Sequence, residues 1–454
     1  MVDNSSEAPA GSQHSPPPAS PLVADLMDTL QTGNSASVAE FWKNVRRAGG
    51  ALVESDNAGY YWLTFVWRHQ GDERPGGAEH SVAVLSHLNR FDIQHSQMWR
   101  IPGTDIWYLS YSGLHGDFVM QYRFAVNEPP GPLDARAIEE RAGLWEPDPL
   151  NHRVIVLPPF GSGPARRSSF VEGPHAPRRR WQEPRPDPPG RVEHHRITTT
   201  ILGDARSVWV YTPAQYDNRR AGQRFGLLIA VDEGVFREAV DLSVVFDNLI
   251  AERRIPPMLA MGIDVRSRGL ATWLDELGCN EKFPELIVAE LLPAMRDVYP
   301  ISLDPRDITI AGFSRGGAAS LHALWRKPEE IGNAIAMSPA VWLDNERLTA
   351  ERIADGPLPE YVRISLNAGA YEQGLHDDPG APIVDCTGRL WDVLTEQRTW
   401  VDFVLNNGGH DVWAAMNTGM QGFVRIRQPD GRVRAPAERL WRRAPRVNPV
   451  GQLS

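Results

Sequence analysis

The stretch Asp307-Ile308-Thr309-Ile310-Ala311-Gly312-Phe313-Ser314-Arg315-Gly316-Gly317 decides the fold. The run from Asp307 to Ala311 predicts a strand, and the segment from Gly316 to Arg326 predicts a helix. Between them lies G-x-S-x-G. A strand that turns at once into a helix at a serine holds that serine in a strained backbone, and the flanking glycines let neighbouring chain pass close by. The hydroxyl is thereby lifted to the carboxyl edge of a sheet. The helix start adds unpaired N–H groups and a positive dipole end, which suit a developing oxyanion. Ser314 is the predicted nucleophile.

Outward from this turn, strand and helix patterns alternate. Ser207 to Tyr211, Phe225 to Val231, Met258 to Ile263, Ala334 to Met337, Val362 to Leu366 and Val401 to Leu405 read as strands. Glu281 to Tyr299 and Arg389 to Arg398 read as helices between them. This rhythm predicts an α/β fold, a mostly parallel sheet covered by helices on both faces. In an α/β-hydrolase the triad runs serine, acid, histidine along the chain. After the strand ending at Leu366 comes Asn367-Ala368-Gly369-Ala370-Tyr371-Glu372, and after the next helix and strand comes Asn407-Gly408-Gly409-His410-Asp411. His410 is the predicted general base, because a serine hydroxyl needs its proton taken as it attacks a carbonyl. Glu372 is the predicted orienting acid, with Asp385 and Asp377 as competitors and a Ser–His dyad as a further option. The backbone N–H of Arg315 would supply one oxyanion donor. The loop Asp232-Glu233-Gly234-Val235 would supply the second, from Gly234 or Val235.

The amino-terminal half reads differently. Ser37-Val38-Ala39-Glu40 has the form of a capping box opening a helix through Arg47, with Phe41 and Val45 on one face. Tyr60 to Arg68, Val82 to Leu85, Ile106 to Tyr111 and Phe118 to Val126 are short strands punctuated by Gly, Pro and Asp, which predicts an antiparallel β-sandwich. Pro158 to Arg191 turns to Pro, Gly and Arg, including Arg178-Arg179-Arg180, and reads as an extended linker. The chain accordingly divides into a disordered leader (1–34), a β-rich domain (35–157), a linker (158–192), a hydrolase domain (193–430) and a tail (431–454). A hydrophobic content of 42% with 15 Trp supplies real cores. The net charge of −10 argues against a nucleic-acid binder. With only Cys279 and Cys386, neither a disulfide framework nor a zinc spacing is available. Neither a signal peptide nor a membrane span is expected, so the expected location is the cytoplasm.

The assembled residues resemble the enterochelin (enterobactin) esterases, a branch of the esterase D-like α/β-hydrolases. In the amino-terminal part the resemblance lies in Phe41-Trp42-x-x-Val45, Thr64-Phe65-Val66-Trp67-Arg68, Pro102-Gly103-Thr104-Asp105-Ile106-Trp107-Tyr108 and Asp148-Pro149-Leu150-Asn151. Further on it lies in Val208-Trp209-Val210-Tyr211-Thr212-Pro213, Glu276-Leu277-Gly278-Cys279-Asn280, Glu290-Leu291-Leu292-Pro293, the serine turn and Gly408-Gly409-His410-Asp411. The chain departs from the family pattern at Phe313, often Gln, and at Arg315, where an apolar residue is usual.

The resemblance implies a serine esterase that cuts the trilactone of a ferric catecholate siderophore, with the β-rich domain helping to hold it. Iron enters as part of the substrate, and neither a cofactor nor a protein-bound metal is implied. A ferric tris-catecholate carries about three negative charges, so a protein of net negative charge must meet it with a local cationic pocket. Arg266, Arg268 and Arg315 are the candidates for that pocket, with Asp264 pairing to them and Trp413 stacking on a catechol ring. Two other readings stand beside this one: an esterase or acyltransferase acting on another ester, such as a feruloyl or acetyl ester, and a siderophore-binding protein without catalysis.

Overall fold

In a computed structural model, the described residues are 18–34, 36–70, 80–89, 92–129, 137, 140–141, 143–178, 181–185, 188–372 and 383–427. Strands β1 (Leu52–Ser55), β2 (Tyr61–Arg68), β3 (Val82–Leu85), β4 (Trp99–Arg100), β5 (Ile106–Leu114), β6 (Val119–Val126), β7 (Val154–Leu157) and β8 (Arg166–Glu172) form two four-stranded sheets. Their orders are β1-β2-β5-β4 and β3-β6-β8-β7, and the pairings are antiparallel. The two-residue period of a strand sorts the side chains of β2 between two cores. Leu63, Phe65 and Trp67 face the second sheet, where Phe65 meets Tyr122 at 4.7 Å and Trp67 meets Phe124 at 4.9 Å between ring centroids. Val66 faces the other way, toward the helices Pro21–Gln31 and Ala36–Ala48, which contribute Val23, Leu26, Phe41, Trp42 and Val45.

Three amino-terminal expectations need correction. The segment read as leader includes the helix Pro21–Gln31, whose Val23 and Leu26 are buried, so an amphipathic pattern there outweighs the polar surroundings. The helix read as starting with a Ser37 cap begins at Ala36, one residue earlier. Asn34 serves its start instead, its Oδ1 accepting from the Ala36 N–H at 3.2 Å while the Ser37 hydroxyl donates to the Asn34 carbonyl. The stretch read as linker contains β8, paired to both β6 and β7, with Phe170 and Val171 buried. Its Pro- and Arg-rich flanks conceal a short apolar strand. Of the arginine run, Arg179 and Arg180 fall outside the described residues, as do the tail from 428 onward and Asp377.

The carboxyl-terminal part is an eight-stranded sheet of β9 (Arg191–Thr198), β10 (Ala205–Thr212), β11 (Leu227–Val231), β12 (Leu259–Ile263), β13 (Ile308–Phe313), β14 (Asn333–Met337), β15 (Arg363–Gly369) and β16 (Trp400–Asn406). The order is β9-β10-β12-β11-β13-β14-β15-β16. β10 is antiparallel to both β9 and β12, and the remaining pairs are parallel. The central strands β11, β12 and β14 are buried along their whole length, as expected where helices cover both faces. Alternate residues again divide the core. Leu227, Ile229, Ile308 and Ile310 pack with Leu321 and Leu324 of the helix Arg315–Arg326. Leu228, Ala230, Ala311 and Ile335 pack with Phe246 of the helix Leu242–Ala251 and Phe423 of the helix Val412–Arg427. Because β11, β13, β15 and β16 are parallel, the loops after them emerge along one edge. Among the described residues no helix is long and apolar enough to cross a membrane.

Candidate active site

Ser314 sits between β13 and the helix Arg315–Arg326 with φ 57° and ψ −121°, a conformation that L-residues rarely adopt. Strain of this kind costs about 1–3 kcal/mol and persists only where neighbours enforce it. Here the Ser314 N–H donates to the Met337 carbonyl at 2.9 Å. Its own carbonyl accepts from Ala318 at 3.1 Å and from Ala340 at 3.0 Å. Gly312 is required by close approach, since a Cβ at that position would lie 2.1 Å from the Gly316 carbonyl oxygen.

The predicted acid and base follow adjacent parallel strands. Gly369 closes β15 opposite Asn406 at the end of β16. Beyond that pair, Ala370 N–H donates to the Asn406 carbonyl at 2.7 Å and Tyr371 N–H to the Gly408 carbonyl at 3.0 Å. The two loops therefore run on together past the sheet. This brings Glu372 Oε1 to 3.3 Å from His410 Nδ1. Glu372 is fully buried, and its Oε2 has no hydrogen-bond partner among the described residues. The His410 ring lies over Phe313, with centroids 4.5 Å apart and planes at 31°. Asp385 lies in the first turn of the helix Ile383–Glu396.

Of the predicted oxyanion donors, Arg315 is the first residue of its helix. Val235 N–H donates to the Asp232 carbonyl at 3.1 Å, so that amide is already engaged within the loop, and Gly234 remains as the backbone candidate there. Asp232 itself, at φ 66°, is fixed by Arg266. Two charge-assisted bonds of 2.6 and 2.7 Å join the guanidinium to the carboxylate, and Trp273 Nε1 donates to the same group at 3.1 Å.

One pocket is lined by Ser314, Arg315, His410, Val235 and Arg266 together. Arg266 is buried, stacked 4.6 Å over the Phe160 ring, and its Nη1 has no hydrogen-bond partner among the described residues. The Arg315 guanidinium lies 5.8 Å over Trp273. Two predicted residues are not there. Arg268 pairs with Asp204 and does not line this pocket among the described residues. The Asp264 carboxylate accepts the backbone N–H groups of Arg266 and Ser267 rather than pairing with their side chains, and the turn it caps sends Arg266 inward and Arg268 outward. Trp413 packs on Phe170, centroids 5.8 Å apart, beside a separate cleft, whereas its neighbour Val412 faces the serine pocket. Successive helical residues point about 100° apart, which separates the two.

The sequence reading missed the wall supplied by the amino-terminal part: His87, Arg123 on β6 and Arg166 on β8. The His87 ring is 5.3 Å from that of His410. Burial pushes the His87 imidazole well below its ordinary value, and the neighbouring His410 and the Arg123 charge act in the same direction. Isolated arginines within or at the start of a strand, and a histidine just past one, carry no motif, and only the packing of the two parts reveals them.

Known proteins share both halves of this arrangement. Residues 199–412 match the Esterase family model and residues 62–182 match the model for the enterochelin esterase N-terminal domain. The iron(III) enterobactin esterase of Dickeya dadantii is 28% identical over 347 residues, covering 71% of this chain and 75% of the relative. The iron(III) salmochelin esterase of Escherichia coli O6:H1 is 26% identical over 385 residues, 77% and 86% of the two chains. The crystal structure of ferric enterobactin esterase from Salmonella typhimurium superposes with a TM-score of 0.69 at 24% identity, covering 86% of this chain and 99% of the other. That of the Shigella flexneri enterochelin esterase superposes at 0.67 with 25% identity, covering 85% and 97%. Both domain matches, together with the likeness to the curated enterobactin esterases, make this chain a member of the enterochelin esterase family.

Proposed function

We propose that this protein is a serine esterase hydrolysing the ester bonds of a ferric catecholate siderophore trilactone in the cytoplasm, so that iron can be released. The observation that carries the reading is the meeting, in one pocket, of a strained serine, a histidine paired to a buried glutamate, and arginines from both parts of the chain. With Nδ1 directed to Glu372, Nε2 is the nitrogen left to take the Ser314 proton. The serine oxygen attacks the ester carbonyl carbon, and the oxyanion faces the N–H groups of Arg315 and Gly234. Collapse breaks the ester C–O bond, and His410 returns the proton to the departing serine alkoxide of the scaffold. Water, deprotonated by His410, then attacks the acyl-enzyme, releasing the carboxylic acid and restoring Ser314. Arg123, Arg166 and Arg315 supply positive charge for a trianionic substrate, offsetting the net charge of −10 locally, while Arg266, its charge balanced by Asp232, offers Nη1 as a donor.

The test is mass-spectrometric product analysis with ferric and iron-free trilactone. The wild type should open the ring to linear trimer and shorter fragments. Ser314→Ala should lose more than ~10³-fold of the rate. Full hydrolysis by the alanine variant would overturn the mechanism.

A further inference from the structure

The loop bearing His410 is not held by the hydrolase sheet alone. Val119 N–H, at the start of β6, donates to the Asn407 carbonyl at 3.2 Å, and Val119 forms a parallel bridge with Gly408. Asn407 Nδ2 donates to Asp117 Oδ1 at 2.8 Å. Two residues along β6, Gln121 N–H donates to Asp411 Oδ2 at 2.7 Å. The acid turn is tied in as well, since His115 N–H donates to the Tyr371 hydroxyl at 3.2 Å, next to Glu372. His87 closes over the loop from the other sheet edge, so near that a Cβ on Gly409 would meet the His87 Cβ at 2.7 Å. Chain from 115 to 121 thus follows the base loop from Asn407 to Asp411 as an added strand would.

Asp411 is the unusual member of this contact. The residue is 1% exposed and directly follows His410, and its carboxylate pairs with a backbone amide of the other part of the chain rather than, among the described residues, with a cation. Burying a carboxylate in this way is costly, and burial together with the Glu372 charge raises its proton affinity well above the ordinary range, against the opposing Gln121 bond. An apolar residue would fill the space without that cost, but it would leave the Gln121 N–H unpaired.

We propose that Asp411 is a positioning residue: through its bond to Gln121 the amino-terminal sheet fixes the loop that carries His410. The two parts then make one catalytic unit, rather than a hydrolase with an appended binding module. The proposal rests on the reading of Ser314 and His410 as nucleophile and base.

The experiment uses the full chain and a small aryl acetate that has no need of the cationic wall. Loss of wild-type turnover in Ser314→Ala checks the underlying reading, and persistence of turnover there would sink that reading instead. Asp411→Ala should lower kcat by ~10-fold or more with KM within about twofold, since misplacing a catalytic group by 1 Å costs up to ~10²-fold. Asp411→Asn, which keeps an oxygen to accept from Gln121, should restore kcat to within about threefold of wild type. Asp117→Ala, which breaks only the half-buried bond to Asn407, should lower kcat about two- to fivefold at unchanged KM. Wild-type kcat in a folded Asp411→Ala protein, or failure of Asn to restore it, would overturn the proposal. If Asp411→Ala does not fold, wild-type kcat in Asp117→Ala overturns it.

Discussion

Replacing Gly369 by alanine should disable the proposed acid–base pair without touching any reacting group. A Cβ at this position would sit 2.3 Å from the Gly408 carbonyl oxygen and 2.6 Å from that of Gly409. Carbon and oxygen approach to about 3.3 Å in ordinary weak contacts, so the strand end and the histidine loop must separate by about 1 Å. The Glu372–His410 contact is already 3.3 Å long, and the same displacement takes it past 4 Å, beyond hydrogen-bond range. Misplacement by 1 Å costs up to ~10²-fold in rate, and full loss of the orienting acid costs ~10⁴-fold. Gly369→Ala should therefore lower kcat on a small aryl ester by ~10²-fold, while circular dichroism retains the wild-type spectrum. Labelling of Ser314 by a fluorophosphonate should slow in proportion, because that reaction also needs the base. A folded Gly369→Ala protein with kcat within about threefold of wild type would refute the argument that these loops touch.

Glu372→Gln should reduce kcat by ~10³–10⁴-fold with little change in KM, measured on the same ester, because the amide no longer stabilises the imidazolium. Arg315→Ala should raise KM for a ferric tris-catecholate about tenfold or more, and less for the iron-free form, whereas Arg268→Ala should leave both KM values within about twofold; steady-state kinetics with the two substrates separates them. Arg266→Ala should lower stability by about 3–5 kcal/mol in denaturant unfolding, because Asp232 is left as a buried charge without its partner. Asp148 provides a pH test: burial lifts its carboxyl to about 6, despite hydrogen bonds from the Tyr122 hydroxyl and Leu150 N–H that oppose the shift. A carboxyl whose folded pKa is raised binds protons more tightly when folded, so its penalty is full above about pH 6 and is relieved as pH falls toward 4. The stability difference between Asp148→Asn and wild type should then shrink by roughly 2 kcal/mol between pH 7.5 and pH 4.5. A difference that stays constant over that range would count against a buried, strained carboxylate.

What could be read from the sequence was the part whose chemistry is local. The serine turn needs strand, glycine and helix within eleven consecutive residues, and each leaves a compositional trace. Parallel strands then bring whatever follows β15 and β16 to the same sheet edge as the serine, and Glu372 and His410 were named from that position. Arg268 and Trp413 could not be placed, because a turn capped by Asp264 and the phase of one helix decide where their side chains point. The strand β8 was hidden by its Pro- and Arg-rich neighbours, and Arg166 was lost with it. His87 and Arg123 reach the pocket only because two separate sheets meet there, a fact with no signature in either segment.

The motifs that revealed the family and the residues that line the pocket are largely different sets, and the structure explains why. Trp42 Nε1 and Arg68 Nε both donate to the Asp105 carboxylate at 2.7 Å, and Arg68 lies over the Trp42 ring, which joins the second helix to β2 and β5. Asp148 and Asn151 both bond the Tyr122 hydroxyl, tying the chain before β7 to β6. Glu276 holds the buried Arg206 with bonds of 2.7 and 2.8 Å. These groups maintain the three sheets, and the sheets bring β6 against the histidine loop. Tyr122 links the two sets, bonded to Asp148 on one side and lining the serine pocket on the other. A change in the Asp148 network therefore has a short physical route to His410: through Tyr122 to its neighbour Gln121, and from the Gln121 amide to Asp411. The residues that make the chain recognisable bear on the proposed chemistry by fixing the strand against which the His410 loop is laid.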